Sequence, residues 1–287
     1  QKVGLYIPGG TAPLFSTVLM LGVPAKLAGC KEIVLCTPPN REGKVHPAIL
    51  FTAELIGIDK IVKVGGAQAI AALTFGTESV PAVDKIFGPG NQFVTAAKQL
   101  ATKYGVAIDM PAGPSEVLVY ADESAIPAFV AADLLSQAEH GVDSQVVLVT
   151  HSEKFAKKVL KEVDSQLRDL SRKDIAKKSL LKNGLIIRVY NSKQITDSIN
   201  EIAPEHLELN LKNYKKLINK IKNVGSICIG KYSAMAVTDY NAGTNHILPT
   251  LGSAKFSSGL NVGEFYKKTS YIKLSKKGIE VIGKKAI

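Results

Sequence analysis

Val3-Gly4-Leu5-Tyr6-Ile7-Pro8-Gly9-Gly10-Thr11 is a short apolar run that ends in a glycine turn. An apolar stretch of helical length follows over 14–28, so the segment reads as strand, turn, helix. The same order recurs three times more in the first 116 residues. Strands are expected at 32–36, 61–64 and 85–87, with helices over 47–56, 67–73 and from Asn91 to about 104. Such alternation predicts parallel strands joined by right-handed helical crossovers.

A second run follows, with strands at 117–120, 146–149, 185–189 and 226–229. Helices are expected at 127–137, 154–170, 194–202 and 214–221. Two consecutive βα blocks of similar size predict an α/β chain of two Rossmann-like domains, 1–116 and 117–260, with the active site in the cleft between them. Residues 253–263 are rich in Ser and Gly and read as a loop, and 261–287 as the start of an incomplete C-terminal segment.

At 287 residues and 46% hydrophobic content the chain can bury a large core. Three cysteines, Cys30, Cys36 and Cys228, in apolar settings do not make a disulfide framework, which points to a reducing, cytoplasmic compartment. No run reaches the ~18 apolar residues of a membrane span, and none reads as a basic leader before an apolar segment. The net charge of +11 is uneven, −3 over 1–150 and +14 over 151–287. Its lysines fall at helical surface spacings such as Lys154, Lys157, Lys158 and Lys161, and there are only four arginines, so a solvated face fits better than a nucleic-acid site. The first residue is Gln1 and the last are Lys284-Lys285-Ala286-Ile287, so both ends read as cut.

Three turns, at Gly9-Gly10, Gly65-Gly66 and Gly88-Pro89-Gly90, follow strands and open helices. Backbone amides there can hold a phosphate or carboxylate. None matches G-x-G-x-x-G, so they read equally as tight βα turns. The chemistry lies further on. In Ala203-Pro204-Glu205-His206-Leu207-Glu208 a carboxyl stands beside an imidazole, the pairing that moves protons near neutral pH. Gln137 and His140, three residues apart after an apolar run, are expected to share a helix face. With Asp239 they offer an amide oxygen, an imidazole and a carboxylate, a set that suits zinc or a similar divalent ion. The same segments also read as a helix end capped at Gly141 and as a Pro-started polar turn. Asp239 through His246 is expected to be an ordered polar loop. Ser115 ends the constrained loop 109–116, where it can present its hydroxyl. Cys36, at a strand end, reads as a buried structural thiol rather than the nucleophile of an aldehyde-dehydrogenase-like enzyme.

Gly4-Leu5-Tyr6-Ile7-Pro8-Gly9-Gly10, Gly65-Gly66-Ala67-Gln68-Ala69, Gly88-Pro89-Gly90-Asn91, Pro111-Ala112-Gly113-Pro114-Ser115-Glu116, Gln137-Ala138-Glu139-His140-Gly141, Pro204-Glu205-His206-Leu207 and Asp239-Tyr240 through Pro249-Thr250 occur together and in order. In this the chain resembles the histidinol dehydrogenase family along nearly its whole length. The resemblance implies zinc- and NAD-dependent, four-electron oxidation of L-histidinol to L-histidine through the aldehyde by a homodimer, with no nucleic-acid or membrane partner. It implies zinc ligands at Gln137, His140 and Asp239, and an acid/base pair at Glu205 and His206. It further implies substrate contacts from Ser115, Gln137, His140, His206 and Asp239, and NAD contacts from Tyr6, Gln68 and Asn91. The family's fourth zinc ligand is a His near the C-terminus, and no His follows His246 here. Weakened zinc binding and impaired oxidation are therefore expected of this chain, with Glu264 or Glu280 the first suspects for a replacement ligand. The other reading is a catalytically inactive fragment or homologue that binds dinucleotide or a partner chain.

Overall fold

The computed structural model describes residues 1–9, 13–111 and 113–286. Gly10, Thr11 and Ala112 of the motifs above lie outside the described residues. The first half contains β1 (Lys2–Tyr6), α1 (Phe15–Leu27), β2 (Glu32–Cys36), α2 (Pro47–Leu55), β3 (Lys60–Val62), α3 (Gly66–Phe75), β4 (Lys85–Phe87), α4 (Gln92–Ala101) and β5 (Ala107–Ile108). Its strands form one parallel sheet in the order β3-β2-β1-β4-β5. The second half contains β6 (Glu116–Ala121), α5 (Pro127–Ala138), β7 (Gln145–Thr150), α6 (Glu153–Gln166), α7 (Lys173–Asn183) and β8 (Gly184–Arg188). It continues with α8 (Ser192–Ile202), β9 (His206–Asn210), α9 (Lys215–Ile218), β10 (Ser226–Ile229), α10 (Met235–Tyr240) and, beyond the sheet, α11 (Lys276–Ile282). These strands form a second parallel sheet, β10-β9-β6-β7-β8. The α/β class, with two parallel sheets and interleaved helices, is as the alternation predicts.

Parallel sheets are covered on both faces, so their strands run as nearly unbroken apolar segments. Val117–Ala121 and Val146–Val149 are buried throughout. Each sheet therefore has two cores. On the first, Val3, Leu5, Leu35 and Phe87 pack under α1 and α2, while Val34, Cys36 and Ile86 pack under α3 and α4. Ile247, Leu260 and Phe265, far along the chain, return to the first of these cores. Phe265 stacks on Phe87 with ring centroids 4.0 Å apart. On the second sheet, Val117, Val119 and Val146 pack beneath α5, α6 and α7; Leu118, Leu207 and Leu209 pack beneath α8 and α9.

Four elements differ from the sequence reading. The long lysine-rich helix stops at Gln166, and a separate α7 follows, its polar face leaving only Ala176 and Ser179 buried. Glu205-His206, which also reads as a Pro-started polar turn, leads into β9, buried along its whole length. Residues 235–240 form α10, so Asp239 sits on a helix rather than on a loop. The two-residue strand β5 is too short to leave a periodic signal.

A buried ion pair fixes the turn after β4. Lys98 on α4 and Asp109 after β5 are both nearly inaccessible and bonded to one another. Lys98 Nζ also donates to Gly88 O at 2.7 Å, and Asp109 Oδ2 accepts from the Gly88 N–H at 2.7 Å. Gly88 itself has φ +123°, and a Cβ there would run into the Tyr6 carbonyl. Removing one member of such a pair strands a buried charge. Lys98→Met is expected to cost ~3–5 kcal/mol in urea denaturation, and adding Asp109→Asn to recover part of that loss. A loss below about 1 kcal/mol for the single variant would show the pair to be energetically idle.

Candidate functional site

The second sheet gathers ionisable groups at its amino edge. β6 and β9 are neighbours there, with Val117 opposite His206. The chain enters β9 through Ala203, whose φ of 51° ends α8 and redirects Pro204 and Glu205 into the sheet. Glu205 Oε2 accepts the Glu116 N–H at 2.9 Å, and Gln137 Nε2 lies 3.5 Å from the same oxygen. His206 Nε2 stands 3.9 Å from Glu205 Oε1 and 3.7 Å from Asp239 Oδ2. His246 joins the group by a 3.3 Å contact between its Nδ1 and the Asp239 carbonyl. Four strands and helices far apart in sequence thus converge on His206.

Burial dominates the electrostatics. Glu205 is pushed up to about 8 by desolvation; its bond from the Glu116 amide opposes this, and the Glu116 and Asp239 carboxyls add to it. His206 is driven down to about 4, again mainly by burial, with His140 and His246 adding like charge. Burial also lifts Asp239 to about 6. His140, which reaches solvent at the mouth, is held low by the crowding around its ring, then by Arg172 and His246. An acid that keeps its proton therefore lies beside an imidazole that stays neutral, the arrangement in which one group donates and the other accepts.

Buried polar atoms almost always have partners. Among the described residues four buried side-chain atoms lack one: Glu116 Oε2, Gln137 Oε1, His206 Nδ1 and Glu208 Oε1. All four belong to β6, β9 or the end of α5. Such a concentration at one edge of the sheet marks a polar centre, in which Gln137 Oε1 and His206 Nδ1 face no donor or acceptor of this chain.

The sequence-predicted residues stand as follows. Gln137, Glu205, His206 and Asp239 are drawn together by the contacts above. α5 ends at Ala138, so His140 lies in the turn beyond it, its N–H donating to the Gln137 carbonyl at 3.2 Å, rather than on a shared helix face. Ser115 directly precedes β6, half-buried, and its carbonyl accepts from the Gln145 N–H at 2.9 Å. Tyr6, Gln68 and Asn91 sit at the carboxyl edge of the first sheet. The Tyr6 hydroxyl accepts the Gly66 N–H at 3.0 Å, Gln68 is exposed on the first turn of α3, and Asn91 caps α4. Residues 109–111 leave that edge, and 113–115 lead into the amino edge of the second sheet. Cys36 is fully buried with its thiol pushed up to about 12 by desolvation, which removes it as a nucleophile.

A crevice of about 660 Å³ opens at the opposite edge of the second sheet between Asp122, His151, Arg188 and Lys212. Its groups bond to one another: His151 Nε2 lies 2.8 Å from the Tyr120 hydroxyl, and the Lys212 N–H donates to Asp122 Oδ2 at 3.1 Å. The crevice lies across the sheet from His206.

The sequence reading assigned no role to Glu116, Asp133, Glu208 or His246. A signal for Glu208 was present, since an acid between Leu207 and Leu209 is out of place in a strand buried on both faces. Glu116 carried none, because its carboxyl meets the Leu251 N–H only through the tertiary fold, at 3.0 Å.

The sequence model of the histidinol dehydrogenase family matches residues 1–287. Histidinol dehydrogenase from Bacteroides fragilis strain YCH46 is 60% identical over 283 residues, covering 99% of this chain and 66% of that protein. The crystal structure of histidinol dehydrogenase from Elizabethkingia anophelis superposes with a TM-score of 0.96 at 55% identity, covering 99% of this chain and 66% of that one. The chain thus spans about two thirds of the length of the relatives it matches. An acetylating aldehyde dehydrogenase from Geobacillus thermoglucosidasius has a TM-score of 0.56 at 14% identity, a likeness of fold alone. With its glycine turns, its buried Glu205–His206 pair and a match from end to end, the chain belongs to the histidinol dehydrogenase family.

Proposed function

We propose that this chain carries the core of a site that oxidises L-histidinol to L-histidine through the aldehyde, with zinc and two successive NAD⁺. The observation that carries the reading is the neutral His206 beside the protonated Glu205, within reach of Asp239 and of a buried Gln137 oxygen that has no partner.

Gln137, His140 and Asp239 fit a divalent ion. Their donors are an amide oxygen, an imidazole nitrogen and a carboxylate, and the Gln137 Oε1 faces no donor of its own. Zinc held by these residues would supply a Lewis acid that orients the substrate. Tyr6, Gln68 and Asn91 suit a dinucleotide, since two of them offer amides on turns that open helices and Tyr6 anchors the Gly66 turn. NAD⁺, when bound, supplies the two-electron acceptor for each oxidation.

The protein's own groups handle the protons. His206, uncharged at neutral pH, accepts the proton of the carbinol as the alcohol becomes the aldehyde. Hydration of the aldehyde needs a water stripped of a proton. Glu205, whose carboxyl titrates near pH 8, takes that proton once it has released its own. Ser115 presents its hydroxyl to the substrate at the start of β6. Burial of His206 and Glu205 keeps bulk water from the aldehyde between the two oxidations. The exposed Leu27, Phe51 and Leu55 of α1 and α2 support assembly of the intact protein as a homodimer.

The test is NADH formation from L-histidinol and NAD⁺ by the intact protein. His206→Ala is expected to slow the alcohol oxidation by ~10²–10⁴-fold. Glu205→Ala should cost more with histidinal as substrate than with the alcohol. Wild-type rates in both variants would refute the roles.

Glu205 also predicts a pH dependence in the metal-free protein. Its folded pKa lies above the unfolded value, so the folded state holds the proton more firmly. That stabilisation is complete below the unfolded carboxylate pKa and is lost as pH rises toward about 8. Glu205→Gln, which mimics the protonated form, should therefore gain stability relative to wild type between pH 5 and pH 9, roughly the span of that titration. A constant difference in urea midpoints across the range would contradict the assigned protonation.

A further inference from the structure

Beneath the site lies a second pair of carboxyls that the reaction above does not use. Successive side chains of β9 alternate between faces. Leu207 and Leu209 join the core under α8 and α9, and His206, Glu208 and Asn210 take the face toward α5. On α5, Asp133 precedes Gln137 by one turn and shares its side of the helix. Glu208 is 1% exposed and Asp133 8%. The two carboxyls meet at the Met235 amide, whose N–H lies 3.3 Å from Asp133 Oδ1 and also bonds Glu208.

The two carboxyls can bond one another only through a proton. With both groups ionised, neither is a donor, and Glu208 Oε1 is left buried without a partner. The bonds to the pair come from neutral donors. Asn210 Nδ2 donates to Glu208 Oε2 at 3.2 Å, and the Met235 N–H donates to Asp133 Oδ1 at 3.3 Å. No cation is among the groups that bond to either carboxyl. Two like charges in that setting repel without compensation, and one proton removes the repulsion. Desolvation and the Asp133 charge hold the Glu208 carboxyl well above its usual range, and desolvation raises Asp133 as well.

The contacts of the pair give it a position of leverage. Asp133 belongs to α5, which ends at Gln137 and leads to His140. Glu208 belongs to β9, which starts at His206. The Met235 amide opens α10, which carries Asp239 one turn later. Thr238 of the same helix closes the group by its 3.3 Å contact with the Cys228 thiol on β10. We propose that Asp133 and Glu208 share a single proton and form a positioning clamp that holds α5, β9 and α10 in the register that aligns Gln137, His206 and Asp239. The consequence for metal binding rests on the zinc reading above; the shared proton does not.

Infrared difference spectra of the 287-residue chain in H₂O and D₂O at neutral pH test the proton. A protonated-carboxyl band that survives Glu205→Gln and disappears in Glu208→Gln is expected. Competition titration with zinc, read by bound metal, tests the clamp. Glu208→Gln keeps a donor toward Asp133 and should hold zinc as wild type does. Glu208→Leu should weaken zinc by ~10–100-fold, as loss of a supporting partner does, and leave NAD⁺ affinity at the first sheet unchanged. A spectrum unaltered by Glu208→Gln overturns the proposal, as does zinc held by Glu208→Leu with wild-type affinity. The zinc titration is made on the intact protein; should that take up no zinc, the metal reading and the clamp fall together and the infrared band decides the shared proton. Should Glu208→Leu fail to fold, Glu208→Gln still decides it.

Discussion

β9 is buried from His206 to Asn210, and three of its five side chains are polar. Water cannot reach them, so each must be answered by a group on a facing element or remain unsatisfied at a cost of about 1–3 kcal/mol. The answers come from Asp133 on α5 and from Asp239 and Met235 on α10, while Glu116 of β6 and Gln137 of α5 meet Glu205 just before the strand. This demand sets how the second sheet and its helices meet. Glu205 and Glu208 resolve it by keeping or sharing protons. Gln137 Oε1 and His206 Nδ1 do not resolve it within the chain, and their open valences mark where chemistry from outside belongs.

The two sheets use opposite edges. The first presents its glycine turns at the carboxyl ends of β1, β3 and β4, where helices α3 and α4 begin and close backbone approach is possible. The second presents its acid/base cluster at the amino ends of β6 and β9. Residues 109–111 leave the first edge and 113–115 enter the second. The buried Lys98–Asp109 pair anchors the start of that passage, and the Gly113 N–H, bonded to Thr250 Oγ1 at 2.5 Å, holds its middle. The return of Ile247, Leu260 and Phe265 to the first core ties the far end of the chain to the same frame.

Fold likeness and chemistry separate cleanly here. The structure superposes on an aldehyde dehydrogenase at 14% identity, yet Cys36 is sealed in the first core and its thiol is far from ionising. A shared fold leaves the chemistry open, and the side chains at the sheet edges decide it.

Much of the fold was legible because parallel strands buried on both faces leave continuous apolar runs, and glycine turns punctuate them. Val3–Ile7, 117–120 and 146–149 needed no partner to be recognised. Glu205-His206 and Asp239 were legible as residue types, through their resemblance to a family and through the chemistry of a carboxyl beside an imidazole. What the chain order could not convey was environment. Glu205-His206 also read as a turn because the side chains there are buried by α5, α10 and β6, elements far upstream or beyond β10. The neutral state of His206, the raised Glu205 and the Asp133–Glu208 pair arise from desolvation and from distances across the fold, which no linear pattern encodes. Residue identity therefore determined which protons this protein can move, and tertiary structure alone decided which groups hold them at neutral pH.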